Sequence, residues 1–248
     1  MKGDFGLQTH FNKDGSWELK RGFDKTSQKM FDVITDTWNP VVGCLHYCSY
    51  CWAKELAETK LCNVERYQDG FTPKLVEDEL KRKFHNKFVF VTDMGDLFGD
   101  WVPKEWIIKV IDAIKQSPSS NFLFLTKNPK RYCEFLGLYP ENIVFGTTIE
   151  TNRDYKVTKA PPTAERYNHM VGLPVKKKFV SIEPIMDFDL ETMVQWIKDI
   201  TPAVVYVGYD NYGNILPEPC LAKTKQLINQ LGRLTRVRTK TLRESKEG

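Results

Sequence analysis

Residues 31–52 read F-D-V-I-T-D-T-W-N-P-V-V-G-C-L-H-Y-C-S-Y-C-W, a short apolar run that passes through a polar turn into three cysteines. Phe31–Thr35 has the β-branched and aromatic character of a buried strand. Runs of the same kind recur at Lys87–Thr92, Asn121–Thr126, Ile143–Thr148, Lys178–Ile182 and Ala203–Gly208. None alternates apolar with polar residues as a strand with one wet face does, so each is expected to be covered on both faces. The intervening segments Trp52–Leu61, Pro73–Phe84, Lys104–Gln116, Lys130–Leu136, Thr163–Met170, Leu190–Asp199 and Pro219–Leu231 read as helices. Pro73 and Pro103 suit helix starts, and Gly232 suits a C-terminal cap. Strand–helix alternation means parallel strands joined by crossovers. Six such units, rather than eight, predict an α/β fold built as a partial (β/α)6 barrel.

Polar side chains gather just after these runs: Asp36, Asp93 and Asp96, Lys127 and Asn128, Thr148 and Glu150, Glu183, Asp210 and Asn211. The opposite ends carry Lys87, Asn121, Asn142 and Lys178, an ordinary solvated rim. In a β/α barrel the C-terminal strand ends share one face, and sites form there. The loop Gly43–Trp52 follows the first run and so belongs to that face. Its Cys44, Cys48 and Cys51, spaced C-x3-C-x2-C, can converge on one soft metal centre. Neither usual zinc pattern, two C-x2-C pairs or a Cys pair with a His pair, is completed. Three ligands leave one coordination position open. The alternative reading of the spacing is a zinc-binding, nucleic-acid-binding module without catalysis.

With Tyr50 directly before the third cysteine, the loop resembles the cluster loop of the radical S-adenosylmethionine (SAM) superfamily. That resemblance implies a [4Fe-4S] cluster on Cys44, Cys48 and Cys51, with SAM chelating the fourth iron. It implies reductive cleavage of SAM to a 5′-deoxyadenosyl radical that abstracts hydrogen from a substrate, driven by an external one-electron reductant of flavodoxin or ferredoxin type. It also implies SAM contacts. Gly95 of Met94-Gly95-Asp96 would admit close approach and Asp96 would meet the ammonium group. Thr148 and Glu150 would face ribose or carboxylate, Glu183 would lie nearby, and Tyr50 would lie against the adenine. Together T-W-N-P-V-x-G-C, V-T-D-M-G-D-L-F, L-T-K-N-P, G-T-T-I-E, S-I-E-P-I and D-N-x-G-N-x-L-P-E-P resemble a narrower radical SAM family of phages, bacteria and archaea, distantly similar to spore photoproduct lyase. The likeness spans about residues 31–245 and makes Cys220 a candidate hydrogen-atom donor. It supplies no substrate; Lys127, Asp210 and Asn211 are expected to hold one.

At 248 residues the chain has the size of one large domain. Its 41% hydrophobic and 27% charged residues are those of a globular protein, and a net charge of +4 permits an anionic partner without requiring one. The opening M-K-G-D-F-G-L-Q-T-H lacks the apolar core of a signal peptide, and no run approaches a membrane span. A cytoplasmic setting is expected, where six cysteines with three clustered fit metal ligation better than disulfides. Residues 1–30 read as an extension with a hairpin around Asn12–Gly15, anchored by Phe5, Phe11, Trp17 and Phe23. Residues 31–232 read as the barrel and residues 233–248 as a basic tail, in which T-K-T-L-R-E could dock as a last strand or turn. Arg233, Arg236, Arg238, Lys240 and Arg243 could contact phosphates. An open-sided barrel suits a large substrate such as nucleic acid, and a small nucleoside or metabolite is the other class. Cys62 and Cys133 read as inert thiols.

Overall fold

The computed structural model describes residues 9–11, 17–19 and 31–245. Its strands are β1 (Thr9–Phe11), β2 (Trp17–Leu19), β3 (Asp36–Trp38), β4 (Val41–Val42), β5 (Lys74–Leu75), β6 (Phe88–Val91), β7 (Asn121–Thr126), β8 (Ile143–Thr148), β9 (Lys178–Ile182), β10 (Val204–Val207) and β11 (Arg236–Thr239). The helices are α1 (Trp52–Glu58), α2 (Lys104–Lys115), α3 (Thr163–Gly172), α4 (Leu190–Ile200) and α5 (Leu221–Leu231). Seven strands form one sheet in the order β3-β6-β7-β8-β9-β10-β11. Every neighbouring pair in it is parallel. The protein is therefore an α/β fold in which spatial order follows chain order across the sheet.

Alternation along each strand decides what it packs against. Val89 and Val91, Phe122 and Phe124, Val180 and Ile182, and Val205 and Val207 join residues of α2, α3, α4 and α5 in the main core. These crossover helices consequently lie on one face. Burial of side chains this size stabilises by about 1.5–3 kcal/mol each. Phe88, Phe90, Leu123, Val144, Phe179, Val204 and Tyr206 point the other way, into a smaller cluster closed by Phe31 and Val33. Continuing the same two-residue step toward the C-terminal ends reaches Thr92, Lys127, Thr148, Ser181 and Glu183. One sheet face thus changes from apolar to polar along its length, and the polar end is where the cysteine loop arrives.

Strands β7, β8 and β9 coincide with their sequence reading, and β6 and β10 fall inside theirs. The first strand does not. Asp36–Trp38 pairs with β6, whereas Phe31 lies outside the ladder with its ring 4.7–5.8 Å from those of Phe90, Phe179 and Tyr206. Burial as a plug meets the same hydrophobic demand as a strand would. Pro73–Phe84 is not a helix: Lys74–Leu75 pairs antiparallel with β4, and Glu77–Lys81 is a 3-10 turn. Pro73 suits an extended entry as well as a helical first turn. Pro129–Phe135 is likewise 3-10 rather than α. A seventh strand, β11, comes from the stretch read as a basic tail. β1 and β2 pair antiparallel with Phe11 opposite Trp17, flanking the segment read as the Asn12–Gly15 turn. That turn, and the anchoring expected of Phe5, Phe11, Trp17 and Phe23, lie outside what the structure describes. Among the described residues no helix is long and apolar enough to cross a membrane.

Candidate functional site

The cysteine loop is fastened by main chain. Gly43 N–H donates to the Met94 carbonyl at 2.9 Å, and Gly43 and Gly95 form a parallel bridge. A Cβ on Gly95 would stand 2.7 Å from the Gly43 oxygen. Gly43 itself has φ +82, and a Cβ there would stand 2.4 Å from the Thr72 backbone. Both positions therefore require glycine. The close approach expected at Gly95 exists, and the Gly43 backbone uses it. Asn39 locks the same junction, donating from Nδ2 to Asp93 Oδ1 at 2.6 Å and accepting from the Met94 N–H at 3.0 Å. On the far side, Ser49 N–H donates to Val157 O at 2.9 Å and Lys159 N–H to His46 O at 2.7 Å. Two thiols accept backbone hydrogen bonds: His46 N–H to Cys44 Sγ and Lys54 N–H to Cys51 Sγ, both at 3.4 Å. Cys48 Sγ lies 3.2 Å from Thr158 Oγ1.

Cys44, Cys48 and Cys51 line one cavity of about 210 Å³ at the C-terminal strand ends, with Tyr50, Gly95, Asp96, Lys127, Thr148, Glu183 and Asn211 also on its wall. A water needs only about 10–15 Å³ of such space, so this is a ligand-sized volume rather than a packing gap. Glu150, Asp210 and Cys220 are not on that wall. Among the described residues no three Cys, His, Asp or Glu side chains are gathered closely enough to hold a metal ion as they stand. Burial pushes the Cys44 thiol far up, with the Asp96 carboxylate adding to it, and burial raises Cys51 as well.

The acids of the site divide by what already surrounds them. Asp96 is 4% exposed and fully engaged. His46 Nε2 lies 2.8 Å from its Oδ2, which also accepts from the Lys127 N–H at 3.0 Å; its Oδ1 accepts from Thr126 Oγ1 at 2.7 Å and the Phe98 N–H at 3.0 Å. Burial opposes its charge, but these bonds, led by His46, more than offset that and hold its pKa below the usual range. Asp96 thus joins the cysteine loop to two strand ends, leaving little acceptor capacity for an ammonium group. Glu150 is also buried: Tyr50 OH donates to Oε1 at 2.7 Å, Lys127 Nζ bonds the same oxygen, and Arg166 Nη1 donates to Oε2 at 2.9 Å. Burial would raise it, yet the Lys127 and Arg166 charges bring it down to about 2. Tyr50 is accordingly held as wall, its ring packed with Met186 and Leu216. Asp210 is buried as a loop brace, accepting from the Tyr212 and Asn214 N–H groups at 3.2 and 2.8 Å and from Asn214 Nδ2 at 2.8 Å. Cys220 is exposed at the start of α5. Glu183 faces the cavity beside Lys240, whose Nζ donates to Oε2 at 2.7 Å.

Several wall residues escaped the sequence reading as parts of a site. Thr92 adopts φ +61, is 2% exposed, and has a buried Oγ1 with no hydrogen-bond partner among the described residues. Beside it Asp93, already among the polar strand-end residues expected on this face, lines the cavity, its pKa raised by burial. His46, Trp52 and Tyr212 also face the cavity. Thr92 and Asp93 belong to V-T-D-M-G-D, so the motif held the signal one turn earlier than Gly95 and Asp96. Lys240 reads as one more tail cation, and only the fold brings it to Glu183. Other tail cations are taken up too: Arg238 pairs with Asp32, and Arg243 grips Glu218 at 2.6 and 2.7 Å.

Residues 29–203 match the family described as protein of unknown function (DUF5131). The chain belongs to that family. No curated protein matches it. Among solved structures it is similar to a cysteine-to-serine mutant of spore photoproduct lyase, with TM-score 0.54 and 13% identity over 88% of this chain and 66% of that one. A cysteine-to-alanine mutant of the lyase with dinucleoside spore photoproduct gives TM-score 0.53 and 11% identity over 80% and 61%. The lyase complexed with that dinucleoside gives 0.52 and 10% over 93% and 65%. The chain thus spans 61–66% of the length of these structures, and the likeness is one of fold.

Proposed function

We propose that this protein is a radical SAM enzyme, its sheet curving into a partial (β/α) barrel with the cysteine loop at the mouth. The observation that carries the reading is the sharing of one cavity by Cys44, Cys48 and Cys51 with the polar side chains that step off the C-terminal strand ends. The donor set fits the group: three thiols suit an Fe–S cluster, and backbone N–H donors to cluster-ligating sulfurs tune such centres. The Thr92 hydroxyl offers a bond that nothing among the described residues takes up. Cys44, Cys48 and Cys51 would hold a [4Fe-4S] cluster, with SAM beside it in the cavity. Bound together and reduced, these groups supply one-electron cleavage of a carbon–sulfur bond of SAM, initiating hydrogen abstraction from a substrate.

The chain's own residues bind and orient. Thr92 and Asp93 present a hydroxyl and a carboxylate at the end of β6, where a cationic group of the cofactor is best met. Glu183 and Lys240 offer an acceptor and a donor from the opposite wall. The Tyr50–Glu150–Lys127–Arg166 group keeps the wall behind the cysteines fixed. An external one-electron donor of flavodoxin or ferredoxin type and a reducing, cytoplasmic setting belong to the same reading. The related fold of spore photoproduct lyase has been captured with a dinucleoside, and a nucleic-acid substrate is the class this proposal extends to the present chain.

Anaerobic reconstitution with iron and sulfide tests it. The expected result is brown protein with broad Fe–S absorption, releasing 5′-deoxyadenosine with dithionite and SAM, and losing both properties in C44A, C48A and C51A. A colourless protein holding one zinc ion would overturn the reading in favour of a non-catalytic zinc module.

A further inference from the structure

Outside the thiols, the rim of the cavity carries aromatic faces and cations to which the proposed function assigns no role. Trp52, the first residue of α1, and Tyr212 both line the cavity mouth. Their rings are 11° from parallel with centroids 6.4 Å apart, and Tyr212 is 53% exposed. The loop presenting Tyr212 is braced from within by Asp210 and carries the exposed Ile215. Tyr47, also 53% exposed, lies on the outer side of the cysteine loop. Lys159 Nζ is 4.7 Å and Lys54 Nζ 5.9 Å from the centroid of its ring. A second hollow is lined by Tyr47, Cys48, Lys54 and Asn214, so the Tyr212 loop borders both spaces.

The chemistry of this rim is specific in kind. A solvent-open ring such as Tyr212, backed by a near-parallel, half-buried Trp52, takes a planar partner, and every nucleobase has such a face. Cations poised on an exposed ring take an anion that lies against the ring, as a phosphodiester does. Lys159 pairs with no carboxylate among the described residues, and Lys54 meets Glu58 only at 3.9 Å. Glu55 and Glu58 edge the second hollow, so the positive character is local to Lys54 and Lys159. The C-terminal cations make the contrast: Arg238, Lys240 and Arg243 are already neutralised by Asp32, Glu183 and Glu218.

We infer that this rim is a landing site for single-stranded nucleic acid, with one base stacked on the Trp52–Tyr212 pair and the adjoining nucleotide over Tyr47, its phosphate between Lys54 and Lys159. Its role, delivering a nucleotide to the cavity, rests on the proposed function above; its test does not. A fluorescein-labelled octanucleotide of mixed sequence, in DNA and RNA forms, is titrated by anisotropy with the reconstituted protein and with Y212A, Y47A and K159A. Loss of a stacking ring is expected to weaken binding roughly tenfold. K159A is expected to weaken it and to reduce the slope of log affinity against log salt by about one. An abasic octamer is expected to bind the parent protein no better than the intact octamer binds Y212A. No binding of either octamer, unchanged affinity in Y212A and Y47A, or equal affinity for the abasic strand would each overturn the inference. Release of 5′-deoxyadenosine by the parent protein without oligonucleotide reports separately on the proposed function, so either idea can fail alone.

Discussion

Glu150 and Glu183 stand just past the ends of adjacent strands, β8 and β9, and each bonds a lysine carried by another part of the sheet. Their surroundings differ in number and sign. Glu150 has two cations and a phenol on it, enough to overcome complete burial and hold the carboxyl down to about 2. Among the described residues Glu183 has one cation on it, Lys240, with Asp210 nearby, and burial wins, raising its pKa. The first acid is charged, saturated and off the cavity wall; the second is on the wall with a higher proton affinity. A buried carboxylate with matched partners builds structure, whereas one left under-compensated is available for chemistry.

The largest expected effect breaks the first member of this pair. E150Q leaves Lys127 and Arg166 without their counter-charge, and urea denaturation at neutral pH should show a loss of about 3–5 kcal/mol. The pH sense follows from the depressed pKa. Glu150 contributes stability that is fully present above its unfolded value near 4.5 and is lost as pH falls through about 2. The amount is roughly 3 kcal/mol. The gap between parent and E150Q should therefore close on acidification across that range.

E183Q should cost far less and carry the opposite pH sense. A raised carboxyl holds its proton more tightly in the folded chain, so the parent loses stability as pH rises from about 4.5 through the folded pKa. Relative to the parent, E183Q should gain over that range in the same denaturation series. A gap that changes in the same direction for both variants would erase the contrast drawn between the two acids. The smallest effect belongs to Cys220, which is exposed and off the cavity wall. C220A should shift stability by less than about 0.5 kcal/mol and leave 5′-deoxyadenosine release unchanged.

The contrast between the glutamates also marks how far residues alone could be read. Strands such as Asn121–Thr126 are legible because continuous burial on two faces leaves an unbroken apolar run. Phe31–Thr35 carries the same aromatic and β-branched character around Asp32, and a plug buries such residues as well as a ladder does. Arg236–Thr239 hides as a strand because an edge strand with one partner needs few apolar residues, and Val237 is its only one. That the three cysteines share one cavity was legible because they lie within eight residues of one loop. The state of the acids was not: Arg166 reaches Glu150 from a helix, and Lys240 reaches Glu183 across 57 residues. Such partners are set by tertiary packing.

Lys240, which lines the same cavity as the thiols, gives the site an order of assembly. A chain leaves the ribosome from its N-terminus and its elements fold as they emerge. Cys44, Cys48 and Cys51 appear early, while the strand that brings Lys240 over Glu183 is synthesised after every other strand of the sheet. Until then the thiols face a pocket with one side open. On the proposed function, maturation of the centre would thereby be tied to completion of the sheet, with the sulfurs accessible through most of the chain's synthesis.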